Sequence, residues 1–437
     1  MANEKRADHN ATKPQPLFAE IFTPKLVTAF RDGYALSDFR ADLAAGLTVA
    51  IVALPLSMAI AIASGTTPDR GLYAAIFGGF IVSLLGGSRF QIGGPAGAFI
   101  VLVAASMSRH GIDGVLLATM MAGIILIVIG LLRLGSYIRY IPHAVTIGFT
   151  AGIAVIIFAS QLRDLFGISL ASQEPGELLP KLIVLARASG TVNPAAVVIS
   201  LSTIVIILGV RTVRPSWPGM LIAVAATATL AAILSLPVDT IGTRFGGIPQ
   251  NIPMPSWPTI TSDKLIAVLP DALAFALLGS IESLLSAVVA DHMSGRHHRS
   301  NIELVAQGAA NIGSALFGGI CVTGTIARTA TNFRAGAHSP VAGMLHSVFL
   351  LLFMLLVGGL ASYIPLATLA GVLVVVAWNM AEKHEFARLL RVSFGEAAIL
   401  LATFLLTIFI GLTEAIAVGC LLAALLFLIR KRNGRMV

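Results

Sequence analysis

Charge is scarce in this chain. Asp, Glu, Lys and Arg make up 11% of its 437 residues, less than half of the roughly 25% found in a soluble globular domain, and that excludes a soluble fold. Cysteine is scarcer still. Cys321 and Cys420 both lie in apolar stretches, which excludes a disulfide framework. No His-Glu-x-x-His, nucleophile elbow or phosphate-binding loop occurs, so no enzymatic chemistry is visible. The net charge of +8 is spread over many short loops rather than gathered in one patch. That distribution suits charges that set membrane orientation and argues against a nucleic-acid partner. The polar first 40 residues hold no cleavable apolar core, so no signal peptide is expected.

What is abundant is apolar: 57% of the residues are hydrophobic, in repeated runs of about 20, each long enough to cross a hydrocarbon core of about 30 Å. The expected fold is an all-α polytopic membrane protein with 14 transmembrane segments, near 42–63, 70–87, 95–108, 113–132, 143–162, 194–210, 218–236, 267–290, 303–318, 325–333, 339–358, 364–380, 394–411 and 413–429. Residues 1–40 read as a cytosolic segment with a short amphipathic helix around Leu17–Phe30, and 431–437 as a short cytosolic tail. With the N-terminus inside, 21 of the 29 Lys and Arg fall in cytosolic segments and seven outside, leaving Arg328 within a span. A positive-inside bias of three to one supports this layout, with both termini cytosolic in an inner (plasma) membrane of bacterial type.

Fourteen spans divide into a 7+7 inverted repeat, 41–236 and 267–430, joined by an outer loop, 237–266. The third span opens on Gly93-Gly94-Pro95, and the tenth is short and follows Gly318-Gly319 and Thr323-Gly324. Broken half-helices in corresponding positions of two halves point to a transporter's central site.

Arg328 sits in the first turn of the tenth span, where unsatisfied amides and a guanidinium together attract an anion. The alternative is a structural arginine bonded to carbonyls or to Glu282. Pro95 and the small residues of Gly93–Ala98 offer the facing half of a positive cradle. Glu282, mid-way along the eighth span, is the carboxylate expected deepest in a span. Loss of hydration there makes it the candidate for carrying a proton. Two other readings are a permanent salt bridge to Arg328 and a sodium site with Ser286 one turn on. His292, His297 and His298 fall in a cytosolic loop without a ligand set at metal spacing and read as solvated. Trp217, Trp257 and Trp378 lie near span ends, where indoles anchor at the interface.

Three segments carry a family resemblance: Pro68-Asp69-Arg70-Gly71-Leu72-Tyr73-Ala74-Ala75 through Gly86-Gly87-Ser88-Arg89; Leu304-Val305-Ala306-Gln307-Gly308 with Asn311 and Val322 to Asn332; and Ile281-Glu282-Ser283-Leu284-Leu285 with Ala290-Asp291. Over roughly residues 38–430 the chain resembles the SulP family of anion transporters, the sulfate permeases and their animal anion-exchanger relatives. The resemblance implies a core domain of spans one to four and eight to eleven and a gate domain of five to seven and twelve to fourteen. The core would move like an elevator against the gate. It implies that Arg328 and Ser57 lie beside the anion, that the amides of Ala96, Gly97, Ala98, Ile326 and Ala327 cradle it, and that Glu282 is the coupling carboxylate. Three departures stand out. Leu56 occupies a place where many sulfate-type members have glutamine, which removes a polar contact. Cys321 stands where many have proline, which leaves the turn into the tenth span less constrained. The usual C-terminal STAS domain is missing from this sequence, which weakens the expectation of a homodimer.

The expected function is secondary active transport of a small inorganic or carboxylic anion, sulfate first, then bicarbonate or a dicarboxylate. A proton is the expected coupling ion, with Na+ second, and no cofactor or metal is expected. The expected partners are the anion, the lipid bilayer and possibly a second copy in a homodimer. An exchanger and an uncoupled anion channel are the alternatives, although a channel has no use for a buried proton acceptor. A nucleobase–cation symporter of similar fold is disfavoured because it needs an acid where Arg328 stands.

Overall fold

A chain this poor in charge cannot leave backbone amides unpaired in hydrocarbon, so its apolar runs must satisfy their hydrogen bonds internally, as helices. The computed structural model describes residues 22–135, 142–170, 175, 178–215 and 217–432. Helix α1 (Lys25–Arg31) leads into α2 (Leu36–Ala63), α3 (Pro68–Tyr73), a π-helical turn Ala74–Gly78 and α4 (Gly79–Leu85). Strand β1 (Gly93–Gly94) and a 3-10 turn Gly97–Phe99 precede α5 (Ile100–Leu131), α6 (His143–Phe166), α7 (Leu178–Arg187), α8 (Pro194–Val213), α9 (Gly219–Ile233) and α10 (Ile241–Phe245). Then come α11 (Ser262–Ser294), α12 (Ser300–Leu316), strand β2 (Thr323–Gly324) and α13 (Ile326–Arg334). Helices α14 (Val341–Val357), α15 (Leu366–Met380), α16 (Lys383–Val392), α17 (Phe394–Phe409) and α18 (Leu412–Arg432) complete the described chain.

Helical structure falls on each of the fourteen expected runs. Seven helical segments among the described residues are long and apolar enough to cross a membrane by themselves, and α9, α17 and Glu414–Leu426 within α18 are shorter apolar helices. Several details differ from expectation. The runs at 95–108 and 113–132 are joined through a single break at Gly111, whose φ of 65° is a left-handed value that glycine takes without a Cβ penalty. Two ion pairs clamp this break to α11: Arg109 Nη2 to Asp271 Oδ1 at 2.6 Å, and Lys264 Nζ to Asp113 Oδ2 at 2.7 Å. The segments 163–193 and 237–266, expected as outer loops, carry the short helices α7 and α10. Of the amphipathic helix expected at Leu17–Phe30, the described part is α1, and residues 17–21 lie outside the described residues, as do Arg139 and 433–437 of the tail.

Helices α2, α4 and α5 pack with α11, α12 and α14 as one body, which also holds α3 and α13. Helices α6, α8 and α9 pack with α15, α17 and α18 as a second, and α2 meets α9 and α15 along the seam. Glycine sets how closely the first body closes. The longest interface, α5 on α12, is a glycine-to-glycine crossing. A Cβ on Gly123 would stand 2.6 Å from the Gly308 carbonyl oxygen, and one on Gly308 would meet the Gly123 carbonyl closer still. Helix α2 meets α14 in the same way, with a Cβ on Gly46 2.6 Å from the Ala342 carbonyl oxygen. Without a hydrophobic force between helices in lipid, such close van der Waals packing is what holds them together.

The crossing gives a prediction. Gly308→Val should lower stability by roughly 1–3 kcal/mol, the usual cost of overpacking, read as a lower thermal midpoint of the purified protein. Gly209→Ala, where a Cβ meets nothing within 4 Å, should leave the midpoint unchanged. Equal midpoints for Gly308→Val and wild type would contradict the crossing.

Candidate functional site

The two helix interruptions meet. Strands β1 and β2 pair antiparallel, Gly93 with Gly324 and Gly94 with Thr323, and glycine on both leaves room for the side chains packed against them. A Cβ on Gly94 would run into the Arg328 guanidinium, and one on Gly324 into the Gln91 amide. Backbone and side-chain bonds extend the ladder. Thr325 N donates to Ile92 O at 3.0 Å, Ile92 N donates to Thr329 Oγ1 at 3.1 Å, and Asn332 Nδ2 donates to Phe90 O at 2.9 Å.

Each strand then turns into a helical start. Ala96 (φ −117°, ψ 147°) and Thr325 (φ −109°, ψ 120°) are extended, and the chain coils immediately after each. The amides of Ala96, Gly97 and Ala98, and those of Ile326, Ala327 and Arg328, donate to no backbone acceptor among the described residues. Such unsatisfied amides at a helix start carry partial positive charge. Ile326 and Ala327 are exposed, whereas Ala96 and Ala98 are buried. Gly97 lies at the seam between the two packed bodies: a Cβ there would be 3.3 Å from Ile157 of α6 and from Met380 of α15.

Arg328 is 2% exposed. Its Nη2 donates to Ser57 Oγ at 3.2 Å, and its Nε and Nη1 are buried with no acceptor. Ser57 is fully buried on α2, two residues after Pro55, next to the buried Leu56. A guanidinium has five N–H donors in a rigid fork, so most of this one is unused.

Glu282 shares a stripe of α11 with Gly279, Ser283 and Ser286, spaced so that all four project from one face. That face is bolted to the ladder. Thr323 Oγ1 donates to Gly279 O at 3.1 Å, Gln91 Nε2 donates to Ser283 Oγ at 2.7 Å, and Ser286 Oγ donates to Thr329 Oγ1 at 3.1 Å. Ser286 thus ties α11 to α13. Glu282 Oε2 is buried without a hydrogen-bond partner. No ion pair joins Glu282 to Arg328, although each lies within the other's field; the structure holds no direct Arg328–Glu282 salt bridge.

Glu282 is not the sole deep carboxylate. Glu303 on α12 is fully buried: its Oε2 accepts from Gly87 N at 2.7 Å and Ser88 N at 3.0 Å, and its Oε1 from Gln91 Nε2 at 2.8 Å and Gln307 Nε2 at 3.2 Å. Asp42 is equally buried and accepts from His338 N, Ser339 N and Ser339 Oγ. Both sit near the starts of their spans, where by sequence alone an acidic residue reads as a solvated cap. The spacing of Glu303, Gln307 and Asn311, every fourth residue along α12, was the available signal of a buried polar stripe. His346 on α14 was also missed; it is fully buried with neither ring nitrogen bonded.

The turn at Cys321 is not loose. Asn311 Oδ1 accepts from Val322 N at 2.9 Å and from Cys321 Sγ at 3.1 Å, and Asn311 Nδ2 donates to Val322 O at 2.8 Å. A side chain supplies the constraint that proline would otherwise give. Of the three histidines expected in a loop, His292 instead lies in the last turn of α11, where it is exposed; His297 is exposed, and His298 bonds Asp291 at 2.7 Å.

The arrangement has relatives. A model of the sulfate permease family matches residues 39–403. YvdB of Bacillus subtilis (strain 168), whose name proposes sulfate transport, is 44% identical over 400 residues, covering 91% of this chain and 75% of YvdB. The bicarbonate transporter BicA of Picosynechococcus is 30% identical over 406 residues, covering 91% of this chain and 71% of BicA. Among solved structures, the transmembrane domain of a cyanobacterium BicA superposes with a TM-score of 0.80 at 30% identity, over 88% of this chain and 98% of that one. Murine Solute Carrier 26 family member A9, an anion transporter, superposes at 0.86 over 97% of this chain and 74% of that one. At 19% identity the second superposition speaks for the fold alone. These relatives are named as transporters, not enzymes. With its fold, its crossed interruptions and a family match across most of its length, this membrane protein belongs to the sulfate permease family of anion transporters.

Proposed function

We propose that this chain is a secondary active transporter that binds a small anion between the start of the 3-10 turn at Gly97 and the start of α13. Sulfate is the first candidate, with bicarbonate or a dicarboxylate next. The observation that carries the reading is the Arg328 side chain, whose Nε and Nη1 are buried and unbonded. A buried charged donor left without an acceptor is costly, on the order of 1–3 kcal/mol or more. An oxyanion that accepts from one of these nitrogens removes part of that cost, and the free amides of Ala96–Ala98 and Ile326–Ala327 add donors around it. Ser57 would contribute its hydroxyl from α2, already 3.2 Å from Nη2. Leu56 beside it is apolar, so the site reads charge and size more than hydrogen-bonding detail.

The fourteen helical runs fit a 7+7 inverted repeat, in which the body holding α2–α5 and α11–α14 is the core and the body of α6, α8, α9 and α15–α18 the gate. The anion would be carried by the core and would slide with it past Ile157 and Met380 of the gate, an elevator movement. The bolts between β1, β2 and α11 support this reading, because they make the site and its surroundings one rigid unit. Glu282, on the bolted face of α11 and with an unpartnered oxygen, would take a proton together with the anion; proton and anion would then be carried in one step. The sulfate of YvdB and the bicarbonate of BicA, as those proteins are named, set the first two substrates to try.

Reconstituted vesicles test both parts. Arg328→Ala should weaken anion binding about ten- to hundredfold, the loss of a charged hydrogen bond worth roughly 1.5–3 kcal/mol. Arg328→Lys, a point charge without the fork, should recover only part of it. Unchanged affinity in Arg328→Ala would remove the residue from the site. Acid outside should accelerate uptake by the wild type, because the proton gradient then runs inward with the anion. Glu282→Gln should abolish that acceleration while anion binding persists. Uptake by the wild type that ignores the imposed gradient would rule out proton coupling.

A further inference from the structure

Helix α16 lies between two apolar helices and was not expected from the sequence. Its residues sort cleanly by face. Leu389 is buried, and Phe386 packs edge-on against Phe404 of α17 with ring centroids 5.3 Å apart. His384, Ala387, Arg388 and Arg391, spaced one turn apart on another face, are exposed. With Val392 they line a groove of about 420 Å³. Among the described residues no carboxylate lines it. Arg388 spends one nitrogen on Glu385 at 2.7 Å, whereas Arg391 has no acidic partner among the described residues.

Exposed apolar residues adjoin the groove along the chain. Leu390 is exposed, Val392 is 58% exposed and Phe394, which opens α17, is 92% exposed. Trp378, near the end of α15, is 65% exposed and carries the Lys383 ammonium 3.2 Å from its ring centroid. A basic helix with aromatic and aliphatic residues at its edge, placed at the ends of membrane helices, suits the boundary between headgroups and hydrocarbon.

We propose that this groove binds the phosphodiester headgroup of an anionic phospholipid, with Arg391 and Arg388 on the phosphate and the acyl chains against Val392 and Phe394. Charge complementarity selects the headgroup, since the lining offers cations and no anion. The exposed Val392 and its chain neighbours Leu390 and Phe394 select a lipid over a soluble phosphate, which would leave them in water. The bound lipid would fasten α16, and through Leu389 and Phe386 the helices beneath it, to the membrane surface.

The test uses the full chain in detergent, its thermal midpoint followed while phosphatidylglycerol or phosphatidylcholine is added. Phosphatidylglycerol should raise the midpoint by several degrees and saturate, and phosphatidylcholine should not. In Arg391→Gln, which breaks no ion pair, the phosphatidylglycerol-dependent rise should fall by at least half. Arg388→Gln/Arg391→Gln should lose it, with fewer phosphatidylglycerol molecules retained in native mass spectra. If the double variant does not fold, Arg391→Gln decides. Equal rises with both lipids, or an undiminished rise in Arg391→Gln, would overturn the proposal. So would an equal rise with inorganic phosphate alone, which would mark a general anion site.

Discussion

An antiparallel crossing of four residues, Gly93-Gly94 against Thr323-Gly324, interrupts two helices in the middle of a protein whose other apolar segments run on as helix. Irregular backbone at membrane depth survives only where protein covers it and its polar groups find partners. Here the cover is side chains. Gln91, Thr325, Thr329 and Asn332 bond the crossing from within, and Asn311 pins the turn before it. What those bonds leave over is the set of amides at the two helical starts, together with the free nitrogens of Arg328. The positive character of the site is therefore a remainder: it is carried by the donors that the bonds of the crossing leave unused, while the acceptors left over are Gln91 Oε1, Asn332 Oδ1 and Glu282 Oε2.

Glu303 shows how far this bracing reaches. Its carboxylate collects the amides of Gly87 and Ser88 at the end of α4 and shares the Gln91 amide with Ser283 of α11. A buried carboxylate with four donors in place is stable where a bare one would be expelled. One side chain therefore joins α4, α11, α12 and the entry to β1. The contrast with Glu282 is chemical: one carboxylate is fully used in holding the structure, and the other keeps an oxygen free.

The packing has a corresponding division. Glycine-to-backbone contacts close α5 on α12 and α2 on α14 within the first body. At the seam with the second body, Gly97 faces the flexible ends of Ile157 and Met380 instead. Backbone contacts without side chains between them resist sliding, because any shift brings main-chain atoms into collision. Methionine and isoleucine termini can repack.

Composition alone was enough to determine a membrane protein, because 11% charge cannot clothe a soluble surface of this size. Hydrophobic run length located the helices, since a bilayer sets a minimum length that the eye can find. Arg328 was legible as an anomaly, one cation left inside a span, and Gly93-Gly94-Pro95 and Thr323-Gly324 as interruptions, because glycine and proline mark breaks by local backbone rules. Sequence could not show that the two interruptions pair with each other, 230 residues apart in chain order, since that register depends on which helices pack around them. Nor could it rank the acids: Glu303 reads as a helix cap and Glu282 as a buried charge, and only tertiary structure brings four donors to the first and leaves the second an open oxygen. Helix α16 was hidden for the opposite reason. Its charges look like a loop in one dimension, and its buried face exists only because α17 and α6 lie beneath it.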